Sequence, residues 1–149
     1  MNNQISSLEF SHFPVMLNEI LKIVKPSKGG KFIDCTFGSG GYSKEILKYF
    51  NTNVQGIDRD KKVINLAKNL EKKFPKRFKF YQIKFSQLDS ISENNIDAAI
   101  FDLGLSSIQL NDLERGFSFK SIDKLNMTMG LNETSALDVV NNLSELDLK

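Results

Sequence analysis

Apolar positions between Val15 and Val24 recur with a helical period. Leu17, Ile20, Leu21 and Val24 fall at i, i+3, i+4 and i+7, which predicts an amphipathic helix. Lys25-Pro26-Ser27-Lys28-Gly29-Gly30 ends it, because proline and glycine punctuate regular structure. Lys31-Phe32-Ile33-Asp34-Cys35-Thr36 then reads as a short strand, and it runs into Phe37-Gly38-Ser39-Gly40-Gly41. A second helix is expected over about Tyr42–Phe50, and a second strand over Asn53–Asp58. From Asp60 to Phe74 the pattern is helical again, with Val63, Leu66, Ala67, Leu70 and Phe74 on one face. Asp60 suits its N-cap, and Pro75 follows its end. Phe78–Phe85 and Asp97–Leu103 predict a third and a fourth strand.

Strands alternating with helices of this length indicate βαβ units and a parallel sheet. The doubly wound pattern orders such strands 3-2-1-4, with right-handed crossovers. After Gly104 the strand pattern stops. Residues 105–149 read as loop and helix, with one helix over Ser135–Leu143. The expected fold is α/β and Rossmann-like. Ala98-Ala99-Ile100-Phe101 is apolar on both faces, as a central parallel strand is. No fifth strand follows to cover its outer edge, and an open apolar edge is an aggregation liability. The chain is therefore expected to be the N-terminal part of a longer protein.

Composition narrows the class. A length of 149 residues, 40% hydrophobic and 26% charged, fits one soluble domain and argues against disorder. No apolar run approaches the ~18 residues of a membrane span. Met1–Phe10 holds no basic residue and no apolar core, which argues against a secretory or transit peptide. One cysteine, Cys35, and one histidine, His12, exclude a disulfide framework and a Cys- or His-rich metal site. No metal is expected, and a reducing cytoplasm is the expected compartment. Residues 1–85 hold 16 Lys/Arg against 7 Asp/Glu, while residues 86–149 hold 4 against 11. Ten basic residues lie between Arg59 and Lys84. A basic face of this kind suits nucleic acid, and equally a solvated lysine-coated helix.

The chemistry concentrates at strand ends. Glycines after the first strand let the backbone turn sharply and approach a ligand, and the helix that follows favours an anionic group. A dinucleotide fingerprint needs a third glycine at position 43, where Ser43 stands. Asp34, four residues before Gly38, fits better an S-adenosylmethionine enzyme, in which the carboxylate meets the cofactor's amino-acid end. Asp58 ends the second strand and is placed to accept hydrogen bonds from ribose hydroxyls. Phe85 ends the third, where an apolar wall for adenine would lie. Asp102 ends the fourth and faces both cofactor and substrate. An acceptor there suits transfer to an exocyclic amine, because it can localise a lone pair otherwise conjugated to the ring. Cys35 reads as a small buried strand residue, and His12 is a candidate substrate contact.

Four strings carry a resemblance. Ser11-His12-Phe13-Pro14-Val15-Met16-Leu17-Asn18-Glu19 resembles an H-x-P-V-L-L-x-E opening. Asp34-Cys35-Thr36-Phe37-Gly38-Ser39-Gly40-Gly41-Tyr42-Ser43 resembles D-x-T-x-G-x-G-G-[HY]-[ST]. Asp102-Leu103-Gly104-Leu105-Ser106-Ser107-Ile108-Gln109-Leu110 and Glu114-Arg115-Gly116-Phe117-Ser118-Phe119 resemble D-L-G-x-S-S-x-Q-L and x-R-G-F-S-F. Together they are similar to the MraW (RsmH) family of 16S ribosomal RNA cytosine-N4 methyltransferases, from Ser11 to about Leu148. The resemblance implies a Rossmann-like methyltransferase fold that uses S-adenosylmethionine to methylate a cytosine N4 in the decoding region of 16S ribosomal RNA, in the small subunit. It implies Gly40, Gly41, Tyr42, Asp58, Phe85, Asp102 and Gln109 as cofactor contacts, with Asp102 also catalytic. On this reading residues 1–104 are the N-terminal half of the methyltransferase domain. Residues 105–149 begin a helical substrate-recognition insert. Asn126 and Thr128 depart from the family, which has an aspartate and an arginine there. A non-catalytic cofactor- or RNA-binding fragment, a nicotinamide-dependent oxidoreductase and, on the glycine loop alone, a small-molecule methyltransferase are the competing readings.

Overall fold

The computed structural model describes residues 14–91, 94–122, 124–131 and 134–149; His12 lies outside them. Four strands form a parallel sheet: β1 (Gly30–Asp34), β2 (Thr52–Ile57), β3 (Phe78–Tyr81) and β4 (Ala98–Ile100). Their order is β3-β2-β1-β4, as the alternating pattern predicts. Asp97 sets the register of β4 on β1. Its carboxylate accepts from the Lys31 amide at 2.8 Å, and its own amide donates to the Lys31 carbonyl at 2.8 Å. A side chain at Gly30 would come within 2.6 Å of that carboxylate, so the close approach requires glycine.

Helices α1 (Leu17–Val24), α2 (Gly41–Ile46) and α3 (Ile64–Lys73) cover one face of the sheet. Phe32, Val54, Phe78 and Ile100 from the strands pack there with Leu17, Ile46, Val63, Ala67 and Leu70. Each large side chain so buried stabilises the fold by about 1.5–3 kcal/mol relative to exposure. The opposite face is thinner. Ile33, Cys35 and Ile57 meet Ile91, with Tyr81, Ile83, Leu88 and Ile96 partly buried around them.

The second helix is shorter than its sequence pattern suggests, ending at Ile46. The carbonyls that would extend it are taken elsewhere. Thr52 Oγ1 lies within hydrogen-bond distance of the Ile46 and Tyr49 carbonyls and shares its one proton between them, and the Arg77 guanidinium donates to those of Leu47 and Tyr49. Phe50, expected inside the helix, is 87% exposed. On α3 Leu66 also turns outward, while Val63, Ala67 and Leu70 hold the buried stripe. The third and fourth strands are shorter than expected because each continues only as far as its neighbour does. Tyr81 pairs with Ile57 and Ile100 with Asp34, the last residues of β2 and β1. Beyond Ile100 no strand occurs among the described residues. There are α4 (Ser107–Asn111), a 3-10 turn (Leu113–Arg115), α5 (Ala136–Asn142) and α6 (Glu145–Leu148). Ser106, Ser135 and Ser144 each cap the helix that follows, as short hydroxyl side chains do.

Candidate functional site

The carboxyl ends of parallel strands all point one way, and in open α/β sheets ligands bind there. A cleft of about 680 Å³ opens at that end. Gly38, Ser39, Gly41, Asp58, Phe85, Asp102 and Gln109 line it. Pro14 and Val15 close the amino-terminal wall.

The glycine loop is held from several sides. Asp58 Oδ2 accepts from the Gly38 amide at 2.8 Å, and Oδ1 accepts from the Asp60 amide at 2.9 Å. An ionised carboxylate offers about four acceptor positions, so Asp58 keeps capacity toward the cleft. Burial pushes its pKa above the usual value, and the Asp60 and Gly38 amides pull it back. The Phe37 amide donates to the Ile57 carbonyl at 2.8 Å, and the Phe37 ring packs on Phe78 and Phe80 at 5.5 and 5.4 Å. Gly40 has φ +78, and a Cβ there would come within 2.7 Å of the Phe37 ring. Gly40 is thus buried behind the loop, and Gly41 faces the cleft. A Cβ on Gly41 would run into Pro14, so glycine lets the Pro14–Val15 segment lie against the loop. The Tyr42 hydroxyl donates to the Val15 carbonyl and fixes that segment. Burial pushes the Tyr42 pKa up, and the charges of Asp102 and Asp34 add to it.

Asp34 corrects an expectation. It does not line the cleft; it is fully buried beneath the loop, where its carboxylate accepts from Ser43 Oγ at 2.7 Å. Its other oxygen has no hydrogen-bond partner. Burial raises its pKa from 3.8 to about 6, against the Ser43 hydroxyl and the nearby Thr36 and Ser43 amides. Cys35 is a buried thiol whose pKa burial pushes up to about 11. That value keeps it a thiol at neutral pH and gives it no nucleophilic role.

Phe85 is also placed differently from its expected strand end. It opens a 3-10 helix, Phe85–Ser90, beyond β3. Its ring is 46% exposed and stands edge-on to Phe101 at 5.9 Å. Asp102 lies two residues past β4, exposed, with its amide donating to Thr36 Oγ1 at 2.8 Å. That hydroxyl replaces the next ladder bond and aims residue 102 outward.

Gln109 is almost entirely committed within the protein. Its Oε1 accepts from the Ser106 amide at 2.9 Å, and its Nε2 donates to Asp60 Oδ2 at 3.0 Å. Asp60 is a residue whose role sequence reasoning missed beyond that of a helix cap. It does accept from the Lys62 amide at 3.0 Å. It also meets Arg115, whose Nη1 lies 2.8 Å from Asp60 Oδ2 at ion-pair distance, without hydrogen-bond alignment. Arg115 Nη2 donates to the Thr128 carbonyl at 2.8 Å. Nothing in local spacing joins positions 60 and 115; the only sequence signal was the position of Arg115 within Glu114-Arg115-Gly116-Phe117. Asn126 Oδ1 accepts from the Thr128 amide at 3.1 Å, a bond that an aspartate would make equally well.

A parallel sheet in this order, with a glycine loop after β1 and acidic residues past β2 and β4, defines a Rossmann-like α/β domain. Similarity to known proteins then gives the family. A family model described as the MraW methylase family matches residues 9–149. A protein named Ribosomal RNA small subunit methyltransferase H from Rickettsia massiliae is 42% identical over 139 residues, 93% of this chain and 45% of its own length. Proteins of the same name from Anaplasma phagocytophilum and Bartonella bacilliformis are 41% and 44% identical, over 93% and 92% of this chain and 49% and 41% of their own. Among solved structures, monomeric WbdD overlays 66% of this chain and 26% of its own with TM-score 0.49 and 19% identity, a likeness too slight to argue from. This chain belongs to the MraW methylase family. It spans rather less than half the length of these curated relatives.

Proposed function

We propose that this chain is the cofactor-binding half of an S-adenosylmethionine-dependent methyltransferase acting on the N4 amine of a cytosine in 16S ribosomal RNA of the small subunit. The observation that carries the reading is the cleft itself. In a chain of this family, it brings the glycine loop, Asp58, Phe85 and Asp102 together around a volume suited to a nucleoside-sized ligand. Residues 1–104 are the methyltransferase half-domain, and residues 105–149 begin the segment that meets the RNA. No helix among the described residues is long and apolar enough to cross a membrane, and the proposed compartment is the cytoplasm.

The cleft fits S-adenosylmethionine. The glycine loop lines it, and Asp58 has acceptor capacity for ribose hydroxyls. Phe85 offers an apolar ring for adenine. Gly41 and Tyr42 border the amino-acid end, with Gly40 turning the loop behind them. Gln109 shapes the wall through Asp60. Bound there, the cofactor supplies an electrophilic methyl group that leaves a sulfonium sulfur as the new N–C bond forms. Asp102 accepts a hydrogen bond from the exocyclic N–H and concentrates its lone pair, and the proton released passes to water at this exposed carboxylate. The rest of the acceleration is positioning. The RNA presents its cytosine unstacked, as base-modifying enzymes require. Lys84 at the cleft mouth is a candidate phosphate contact.

The test is calorimetric titration of S-adenosylmethionine into the 149-residue chain, with Asp58→Ala as control and a nicotinamide dinucleotide as competitor. Binding lost in Asp58→Ala and unaffected by the dinucleotide supports the reading. Methyl transfer from labelled cofactor to undermodified small subunits, with N4-methylcytidine found in the digest, completes it. A second reading rests on β4 being an edge strand of the sheet among the described residues: the chain binds cofactor without turnover. That reading gives the isotherm but no methylated nucleoside. A folded chain that ignores S-adenosylmethionine refutes both.

A further inference from the structure

Asp60, outside the cleft, is a heavily shared polar group. It is 1% exposed, and its carboxylate gathers the Lys62 amide, the Gln109 amide group and the Arg115 guanidinium. Its backbone amide holds Asp58, and Asp58 holds the Gly38 amide. An unbroken series of polar contacts therefore runs from the glycine loop through Asp58 and Asp60 to Arg115 and on to the Thr128 carbonyl. The same stretch crosses back at three other points. The Lys61 amide donates to the Met129 carbonyl at 3.3 Å, Lys62 Nζ lies 3.2 Å from Asp112, and Lys61 packs against Gly130. Met129 lines the cleft. Arg115 is 12% exposed along its side chain and lies over the buried Phe117 ring at 5.0 Å.

A buried carboxylate needs charged and hydrogen-bonding partners, and removing one leaves an uncompensated charge. Asp60 holds Asp58 through its backbone amide, and Arg115 and Gln109 hold the Asp60 carboxylate. Both of those partners belong to the segment after Gly104. Resting on the proposed cofactor site, we propose that Arg115 and Asp60 are a positioning pair that links the order of residues 105–131 to the geometry of the cofactor cleft. Neither touches the reacting atoms. Arg115 acts on the cofactor through Asp60, and Asp60 through Asp58 and Gln109. Linkage is reciprocal: cofactor binding tightens residues 105–131, and loosening that segment weakens cofactor binding.

The experiment uses the full 149-residue chain as wild type, Arg115→Lys, Arg115→Met and Lys48→Ala, the last altering an exposed ion pair with Glu45. Amide hydrogen exchange is followed without cofactor, and S-adenosylmethionine binding by calorimetry. In Arg115→Met the Gly38 and Asp60 amides exchange roughly 10- to 100-fold faster, the equilibrium equivalent of leaving a buried charged group without one of its partners. Cofactor Kd rises by a similar factor, Arg115→Lys recovers most of both, and Lys48→Ala changes neither. Acceleration confined to residues 105–131, with Gly38 and Asp60 at wild-type rates, overturns the proposal. So does an unchanged Kd in Arg115→Met. If the wild type gives no isotherm, the cofactor reading has failed; the exchange rates of Gly38 and Asp60 then decide whether the pair positions the loop.

Discussion

Asp34→Asn tests the electrostatics beneath the glycine loop. In the wild type a fully buried carboxylate has one oxygen bonded to Ser43 and the other unpartnered, and its pKa is raised from 3.8 to about 6. Between those values the folded state retains a proton that the unfolded chain has released. Stability therefore falls as pH rises through that window, and the full cost persists above about 6. Each tenfold change in proton affinity is worth about 1.4 kcal/mol, so the cost reaches about 3 kcal/mol at neutral pH. Asparagine keeps an acceptor for Ser43 and carries no charge. Its amide group faces the side where nothing accepts a hydrogen bond, which costs about 1–3 kcal/mol at every pH. The absolute stability of the variant thus mixes two opposing effects, and its pH dependence isolates the charge. Urea unfolding of both proteins at closely spaced pH values from 3.5 to 8 reads the difference. Relative to wild type, Asp34→Asn gains about 3 kcal/mol between the two ends, a relative midpoint shift of about 1–2 M urea at ordinary m-values. A difference that stays flat with pH, or that favours wild type more as pH rises, refutes the argument that burial raises this carboxyl.

Other perturbations separate the roles around the cleft. Phe85→Ala removes a half-exposed ring, so it weakens cofactor binding by roughly tenfold in calorimetry, about one aromatic contact's worth, while shifting the unfolding midpoint little. Gly40→Ala meets both a positive φ and the Phe37 ring, and destabilises the chain by about 1–3 kcal/mol in urea. Gly104→Ala meets nothing within 4 Å, but at φ +147 its backbone strain alone costs about 1–3 kcal/mol. Thr36→Val keeps the side-chain volume and removes the acceptor for the Asp102 amide. It lowers stability by about 1 kcal/mol and lowers methyl transfer by more than it lowers cofactor affinity.

The sheet was legible because its signals are local. Apolar runs such as Phe32-Ile33 and Val63/Ala67/Leu70, broken by glycine and proline, give βαβ units, and the doubly wound pattern supplies the order. Element ends were less legible because they depend on neighbours. The helix after Tyr42 stops where Thr52 and Arg77 claim its carbonyls, and no periodicity foretells a competitor 30 residues away. The residues lining the cleft were named from strand ends and motif positions, and the structure brings Asp58, Phe85, Asp102 and Gln109 to one opening. Asp34 was misplaced because a carboxylate beside a glycine loop reads alike whether it faces the ligand or props the loop from below. The Asp60–Arg115 pair was invisible because its partners are far apart in sequence and each has an ordinary local explanation.

The position of β4 has a consequence for how the chain is made. β1 is a central strand, yet its partner on one side comes from residues far downstream, with Phe32 opposite Ala98. β2 reaches it first. At a synthesis rate of about 5–20 residues per second, β1 waits roughly 3–13 s after its own emergence before β4 can dock. Throughout that interval the nascent polypeptide carries an open backbone edge. Lys31 sits near its start, and a charged lysine is what natural edges use to discourage foreign strands. Asp97, by bonding Lys31 through both its carboxylate and its amide, is then the residue that recognises the waiting edge and closes it in the correct register.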